Sequence, residues 1–310
     1  MKRKLNLSIS NVIIVFSISI LLVSCVNGAK KGEGSDGTKN DSSMVVDEKL
    51  MDDFTKSKLI FYSLPSPLET AMLIKRAGVS FNEDILNPVD NVSRYTTNKQ
   101  MALNLGIYSA DLSYTSLFDQ TNSSIKYLSN AKKLADGLGI MDAIDDEAIK
   151  RLEENMNNRD VVMDIISESF MNSNAYLNEN DRPALAVMVL VGGWVEGLYL
   201  ATSLTNGSMD SNHRLIEKII YQKLSLYTVL NLLESYKEES SDIKDLYSRI
   251  NELKVIFDQV KIVNTSNVEA ETDAEQRVTT IKAESETFMS KDVFDKLCQK
   301  VNEIRSEFVS

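Results

Sequence analysis

Apolar residues recur every three or four positions along almost the whole chain beyond residue 46, and this spacing constrains the fold more than any other feature. The 310 residues include only four prolines and 12 glycines, so few positions interrupt a helix. Together these observations predict an all-α fold, either a multi-helix antiparallel bundle or a stacked superhelix of helical hairpins. The clearest apolar stripe comprises Ile243, Leu246, Tyr247, Ile250, Leu253, Ile256, Phe257 and Val260.

Helix start and stop signals divide this region into segments. Ser66-Pro-Leu-Glu69 is a capping box that starts a helix, and Gly78 ends it. Ser80-Phe-Asn-Glu83 repeats the box for a short helix that Asn87-Pro88 stops, and Thr272-Asp-Ala-Glu275 opens a polar segment in the same way. Further helices are predicted over residues 98–118, 124–135, 145–155, 160–177, 183–204, 210–237, 241–263 and 291–308.

The N-terminus has the layout of a lipoprotein signal peptide. A basic stretch at residues 2–4 precedes an apolar run from Val12 to Val23 and a small residue, Ser24. The run of about a dozen apolar residues is shorter than the roughly 20 that a membrane-spanning helix needs. Leu22-Val-Ser-Cys25 fits the lipobox, so residues 1–24 are predicted to be removed and Cys25 to carry the lipid, palmitate included, that anchors the protein in the membrane.

Residues 25–45 are rich in Gly, Ser and charge and predict a flexible tether, which leaves residues 46–310 as an all-helical domain. Gly32-Glu-Gly-Ser-Asp-Gly37 matches a dinucleotide fingerprint only formally, because no strand precedes it, so no cofactor is expected.

Loss of the signal removes three of 34 basic residues and none of 45 acidic ones, leaving a formal charge of −14. A protein with so large a negative charge repels phosphate backbones, so nucleic acid is not an expected partner.

Several classes of catalytic site are excluded by composition. The single histidine, His213, cannot supply a di-iron centre or a His-Glu-x-x-His zinc site, and no metal is expected. No nucleophile elbow, phosphate loop or calcium loop is present. His213 is predicted at the surface or at a helix start, and Cys298 is predicted to be a core thiol on an apolar helix face.

The segment from Pro183 to Leu204 imitates a membrane helix, because it carries a single charge, Glu196. In a helical domain outside the bilayer, this composition indicates the fully buried central helix instead. Gly193 and Gly197 stand four positions apart, a spacing that lets a neighbouring backbone approach closely.

Two carboxylates stand among apolar and small residues, Asp111 in segment 98–118 and Glu196 in segment 183–204. In a structural interpretation, tyrosine hydroxyls or an arginine such as Arg94 satisfy them inside the core. In a binding interpretation they line an aromatic-walled cleft for a small polar ligand or peptide; in a catalytic one they act as an acid/base pair. The aromatic residues close to them in sequence are Tyr108, Tyr114, Trp194 and Tyr199.

Four segments resemble a family of uncharacterised helical lipoproteins from Bacteroidetes envelopes. They are Phe61-Tyr-Ser-Leu-Pro-Ser-Pro-Leu-Glu-Thr-Ala-Met72, Leu86-Asn-Pro-Val-Asp-Asn-Val-Ser-Arg-Tyr95, Leu103-Asn-Leu-Gly-Ile-Tyr-Ser-Ala-Asp-Leu112 and Gly192-Gly-Trp-Val-Glu-Gly-Leu-Tyr199. The resemblance implies a Gram-negative envelope location and assigns no catalytic residue.

The sequence therefore predicts a lipid-anchored protein of the cell envelope, in the outer membrane and facing the periplasm or the exterior. The favoured hypothesis is that it acts as a non-enzymatic binding or scaffold module for an unknown envelope protein or small ligand. The alternative is an envelope glycan-acting hydrolase or lyase that uses Asp111 and Glu196. A third possibility is self-association through the apolar stripes of segments 210–237 and 241–263.

Overall fold

The computed structural model describes residues 67–310 apart from residues 144–145, 156–157, 211, 239 and 274–277. Ser66 and the predicted signal, Cys25 and tether lie outside the described residues. Within them the chain forms nine α-helices, two short 3-10 helices and one antiparallel hairpin. The all-α prediction is therefore confirmed, as a multi-helix bundle.

The helices are α1 (Pro67–Arg76), α2 (Asn98–Leu117), α3 (Thr121–Gly137), α4 (Asp146–Glu154), α5 (Arg159–Glu179), α6 (Pro183–Ser203), α7 (His213–Tyr236), α8 (Ser241–Phe257) and α9 (Lys291–Phe308). The hairpin consists of β1 (Lys261–Asp273) and β2 (Val278–Phe288), and the 3-10 helices cover Val89–Arg94 and Met141–Ala143.

Helices α2 and α6 form the centre of the domain, since each is buried over most of its surface. A capping box starts α2: Gln100 N–H donates to the Thr97 side chain, and Thr97 N–H donates to the Gln100 side chain. Helix α6 is the one helix, in the part of the chain described, that is long and apolar enough to cross a membrane. Of its most apolar stretch 83% is buried within the domain, which confirms the predicted buried central helix.

Two glycines allow α2 and α6 to cross with their backbones in contact. A Cβ atom added to Gly106 would overlap the carbonyl oxygen of Val189 and lie 2.6 Å from the nitrogen of Gly193. A Cβ atom added to Gly192 would overlap the carbonyl oxygen of Leu103. Any side chain larger than hydrogen at either position would therefore separate the two central helices.

The remaining helices surround this central pair. Helices α1, α3 and α5 pack on α2, whereas α7 and α9 cover α6 and α8 packs on α7 and α9. Gly197 allows the close approach of α1 rather than of α2, because a Cβ atom added to it would meet the side chain of Thr70 on α1. The predicted close approach at Gly193 and Gly197 thus involves two different neighbours of α6.

The predicted helix beginning at Ser80 is wrong, because residues 79–88 form bends, a turn and irregular backbone. The Phe81 ring stacks on Tyr114 with ring centroids 5.2 Å apart, and the backbone N–H of Asn82 donates to the Tyr114 hydroxyl at 3.0 Å. Leu86 is buried in the core. These contacts with α2 outweigh the local preference for a helix turn.

The last predicted turns of segment 241–263 are also wrong, since α8 ends at Phe257 and β1 begins at Lys261. The ammonium group of Lys223 donates to the carbonyl oxygen of Val260 at 2.6 Å, which holds the chain where it leaves the helix. Thr272 does not cap a helix but pairs with Thr279 across the hairpin. The run of β-branched residues from Val278 to Ile281 favours this strand, although the segment is polar overall.

Candidate functional site

The crossing of α2 and α6 brings Asp111 and Glu196 into one buried region. Both side chains are completely buried, with 0% of their surface exposed. The two carboxyls interact electrostatically, and each affects the pKa of the other. Four aromatic residues were predicted near them. Tyr108, Tyr114 and Trp194 are buried, and Tyr199 is half-buried.

Glu196 is held by a bidentate ion pair with Arg305 of α9. Arg305 Nε donates to Glu196 Oε2 at 3.0 Å, and Arg305 Nη2 donates to Glu196 Oε1 at 3.2 Å. The guanidinium also lies 4.5 Å from the centroid of the Tyr199 ring, a cation–π contact. Arg305 is itself only 7% exposed, so both charges of the pair are removed from water.

The arginine that neutralises the carboxylate is therefore Arg305 and not the predicted Arg94, which is exposed in a 3-10 helix. The sequence does contain a signal for Arg305. It falls on the buried face of α9 shared by Phe294, Val301 and Phe308, at spacings of three, four and seven residues. A cation on an apolar helix face needs a buried anion, and Glu196 is the matching residue.

Asp111 is left with one unsatisfied oxygen if it is ionised. The backbone N–H of Asn87 donates to Asp111 Oδ2 at 3.2 Å, whereas Oδ1 has no hydrogen-bond partner among the described residues. Burial raises the pKa of Asp111 well above its ordinary value, and the negative charge of Glu196 raises it further. Both effects favour the protonated, neutral form of Asp111 inside the core.

Burial raises the pKa of Glu196 as well, but the charge and hydrogen bonds of Arg305 oppose that rise. Asp111 has no such ion pair, so its pKa is the one raised well above the ordinary value. Asp111 is therefore the carboxyl favoured to hold a proton, and Glu196 and Arg305 form the charged pair of the cluster.

A chain of buried amides extends this cluster to the end of α9. The Tyr127 hydroxyl donates to the carbonyl oxygen of Asn87 at 3.1 Å, and Asn87 Nδ2 donates to Asn104 Oδ1 at 3.3 Å. Asn104 Nδ2 in turn donates to the carbonyl oxygen of Phe308 at 2.7 Å. These bonds connect the segment before α2, α2 itself and the C-terminal end of α9.

The aromatic residues take structural partners instead of facing the carboxylates. The Tyr108 hydroxyl donates to the carbonyl oxygen of Pro88 at 3.0 Å, and Trp194 Nε1 donates to Gln222 Oε1 at 3.1 Å. The Tyr114 hydroxyl accepts the N–H of Asn82, as described above. Burial raises the pKa of Tyr108, so its hydroxyl stays protonated and able to donate.

A carboxyl that acts as a general acid or base has to reach a proton of its substrate. Neither Asp111 nor Glu196 exposes any surface, and Arg305 occupies both oxygens of Glu196. The geometry therefore fits the structural interpretation of the pair. Its effect is to tie α9, distant in sequence, to the two central helices.

Asp111→Asn should raise stability relative to the native chain by an amount that grows with pH. The folded state holds the Asp111 proton more tightly than the unfolded chain, so its stabilising contribution is complete below the ordinary pKa of 3.8 and is lost as pH rises towards the higher folded pKa. An asparagine is neutral at every pH and keeps an oxygen that can accept the backbone N–H of Asn87. Urea unfolding of both proteins across pH measures the difference, which should grow by at most about 1.4 kcal/mol per pH unit.

Asp258→Asn provides a control of opposite sign. Hydrogen bonds from Lys254 and Tyr227 lower the pKa of Asp258, so this carboxylate stabilises the fold above its ordinary pKa, and its loss should cost stability there. The effect should be small, because the group is exposed. A stability difference between Asp111→Asn and the native chain that does not vary with pH would contradict the raised pKa of Asp111.

His213 and Cys298, the two other side chains considered for chemistry, lie away from any cluster of metal-binding groups among the described residues. His213 is exposed in the first turn of α7, which Asn212 caps. Cys298 is half-buried against the core, and burial raises the pKa of its thiol to about 11. Among the described residues, no three or more His, Cys, Asp or Glu side chains are grouped so that they could hold a metal ion.

Fold and site together define an α-helical bundle organised around a buried carboxyl–carboxylate–guanidinium cluster. Comparisons with protein-family models, with curated proteins and with solved structures give no match to this chain.

Proposed function

We propose that this chain is a lipid-anchored protein of the bacterial envelope, with a non-enzymatic helical domain that serves as a binding or scaffold module. The lipobox at residues 22–25, the basic and apolar segments before it and the polar tether after it support the anchor. The resemblance to Bacteroidetes lipoproteins supports a Gram-negative envelope, and we place the anchor in the outer membrane, with the domain facing the periplasm or the exterior.

The observation that carries the non-enzymatic role is the burial of Asp111 and Glu196. These were the residues best suited to acid/base chemistry, yet both are fully buried and Glu196 is neutralised by Arg305. A glycan hydrolase needs its two carboxyl groups on either side of a bound sugar. The geometry thus favours a binding or scaffold role over the hydrolase alternative.

Mass spectrometry of the protein from the membranes of cells that produce it tests the anchor. We expect an N-terminal peptide that begins at Cys25 and carries a diacylglyceryl group. The full chain with Cys25→Ala is the matched control, which should lack the lipid and should not be cleaved before residue 25. An unmodified thiol at position 25 in the native chain, or residues 1–24 still attached, would contradict the proposal.

A further inference from the structure

A basic concavity lies where the end of helix α1 meets the start of α7. Its wall consists of three basic, one acidic and two apolar residues: Arg76, Arg214, Lys218, Glu217, Leu73 and Ala77. The concavity has a volume of about 330 Å³, at the lower end of the range of small-molecule sites, roughly 300 to 1,000 Å³. Three basic residues and one acidic residue give this wall a formal charge of +2, on a chain whose formal charge is −11.

The side chain of Asn212 fixes the two helix ends that form the concavity. Asn212 Nδ2 donates to the carbonyl oxygen of Ala77 at 2.7 Å, just beyond the end of α1. Asn212 Oδ1 accepts the backbone N–H of Leu215 at 3.1 Å and so caps the start of α7. Arg76 precedes Ala77 and Arg214 precedes Leu215, so the two arginines stand on helix ends that one side chain holds together.

The guanidinium groups of Arg76 and Arg214 are available to a ligand. Both residues are exposed, and within the described part of the chain neither guanidinium makes an ion pair or a hydrogen bond. The carboxylate of Glu217 lines the same wall but forms an ion pair with neither arginine. The ammonium group of Lys218 lies 5.8 Å from the centroid of the Tyr221 ring, a cation–π contact. The two arginines are therefore the groups that can bind an anion directly.

The positions of the basic residues on α7 lower the stability of the protein without a ligand. Arg214 stands in the first turn, at the positive end of the helix dipole, and that turn contains no acidic residue. Lys218 follows four residues later on the same helix face, and like charges at this spacing repel each other. A bound anion would offset both effects. Departures from the stable arrangement of charges are expected at functional sites.

The chemistry of the wall favours a phosphate ester as the anion. A guanidinium group forms paired hydrogen bonds with the oxygens of a phosphate or a carboxylate. A phosphomonoester carries a charge of about −1.5 to −2 near neutral pH, which matches the charge of the wall better than the single charge of a carboxylate does. The apolar surface of Leu73 and Ala77 is suited to a small organic group attached to the phosphate.

We infer that this concavity binds a phosphomonoester that carries a small organic group, with the phosphate oxygens held by the guanidinium groups of Arg76 and Arg214. The same chemistry occurs in soluble phosphate esters and in the headgroup of phosphatidate, a membrane lipid. The inference rests on the proposed binding role and gives that role a ligand class.

Isothermal titration calorimetry of the full chain in a mild non-ionic detergent, with glycerol 3-phosphate as the probe, tests the site. Arg76→Met and Arg214→Met should each weaken binding about tenfold or more, the effect of losing a charge-assisted hydrogen bond. Arg94→Met, at an exposed arginine outside the concavity, should change it less than about twofold. Glu217→Gln should strengthen binding about two- to fivefold, because it removes a negative charge from the wall. Absence of binding, or equal affinity in the native chain and both concavity variants, would overturn the inference.

Two further ligands define the chemistry that is recognised. Glycerate, a carboxylate with a single charge, should bind more weakly than glycerol 3-phosphate, and equal affinity would contradict a phosphate site. Dihexanoyl phosphatidate distinguishes the two sources of the phosphate. Tighter binding than that of glycerol 3-phosphate indicates a lipid headgroup, whereas equal or weaker binding indicates a soluble ester, and each result supports a phosphate site.

Chemical labelling of the native chain tests the location of the site without any variant. Phenylglyoxal modifies exposed guanidinium groups, and peptide mass spectrometry identifies the modified arginines. Glycerol 3-phosphate should protect Arg76 and Arg214 from modification and should leave Arg94 reactive. Equal protection of all three arginines, or protection of none, would overturn the inference. The result is separate from the mass analysis of Cys25, so the phosphate site and the lipid anchor can fail independently.

Discussion

Arg305→Met is expected to lower the free energy of unfolding by about 3 to 5 kcal/mol near neutral pH, the cost of removing one partner from a buried ion pair. Methionine replaces much of the volume of the arginine stem, so the loss reflects the charge left on Glu196 more than a cavity. The loss should shrink in acid, because a protonated Glu196 no longer needs a counter-ion. Urea denaturation at several pH values measures both effects.

Two comparisons separate this effect from a general loss of packing. Arg249→Met removes another arginine of an ion-pair group, with Glu252, Glu303 and Glu307, but that group is exposed and its loss should cost about 1 kcal/mol or less. The double variant Glu196→Gln with Arg305→Met should be more stable than Arg305→Met alone, because it leaves no unpaired charge. Equal losses for Arg249→Met and Arg305→Met would be inconsistent with a structural ion pair.

Gly106→Ala is expected to cost about 3 kcal/mol or more, at the upper end of overpacking effects, although alanine is the better helix former. The added methyl group would overlap the carbonyl oxygen of Val189 on α6, and neither helix backbone can yield as a side chain could. The central helices would have to separate, which would loosen the packing of every helix that covers them. Thermal and urea unfolding measure the loss.

Gly137→Ala is the matched control for that substitution. A methyl group at Gly137, the last residue of α3, would meet only the sulfur of the flexible Met101 side chain, which can move away. We expect a change of less than about 1 kcal/mol, because the gain in helix propensity offsets the adjustment. A similar small change for Gly106→Ala would show that α2 and α6 do not cross at backbone contact.

Much of the fold follows from local patterns in the sequence. The bounds of α9 are those predicted, and α2, α4 and α6 agree with prediction within one residue at each end, because their caps and apolar periods act within a few residues. The burial of Asp111 and Glu196 was also predictable, since each stands on a helix with almost no polar face. The partner of Glu196 was harder to assign, because Arg305 lies 109 residues away.

Other features depend on contacts that no local pattern contains. The segment around Phe81 has good helix-start residues, yet it forms no helix, because Phe81 stacks on the Tyr114 ring and Asn82 donates to the Tyr114 hydroxyl. Helices α3 and α5 both pack on α2, and side chains of all three helices line an apolar pocket. Such a space depends on how helices meet, which periodicity alone does not determine.

The central claim is that Asp111 keeps its proton inside the core while Arg305 balances the charge of Glu196. Carboxyl-carbon NMR titration of the native protein tests it most directly, with Asp111→Asn used to assign the Asp111 signal. We predict that Asp111 keeps the chemical shift of a protonated acid from acidic pH up to neutral pH. A signal that titrates at the ordinary aspartate pKa of 3.8 would contradict the account.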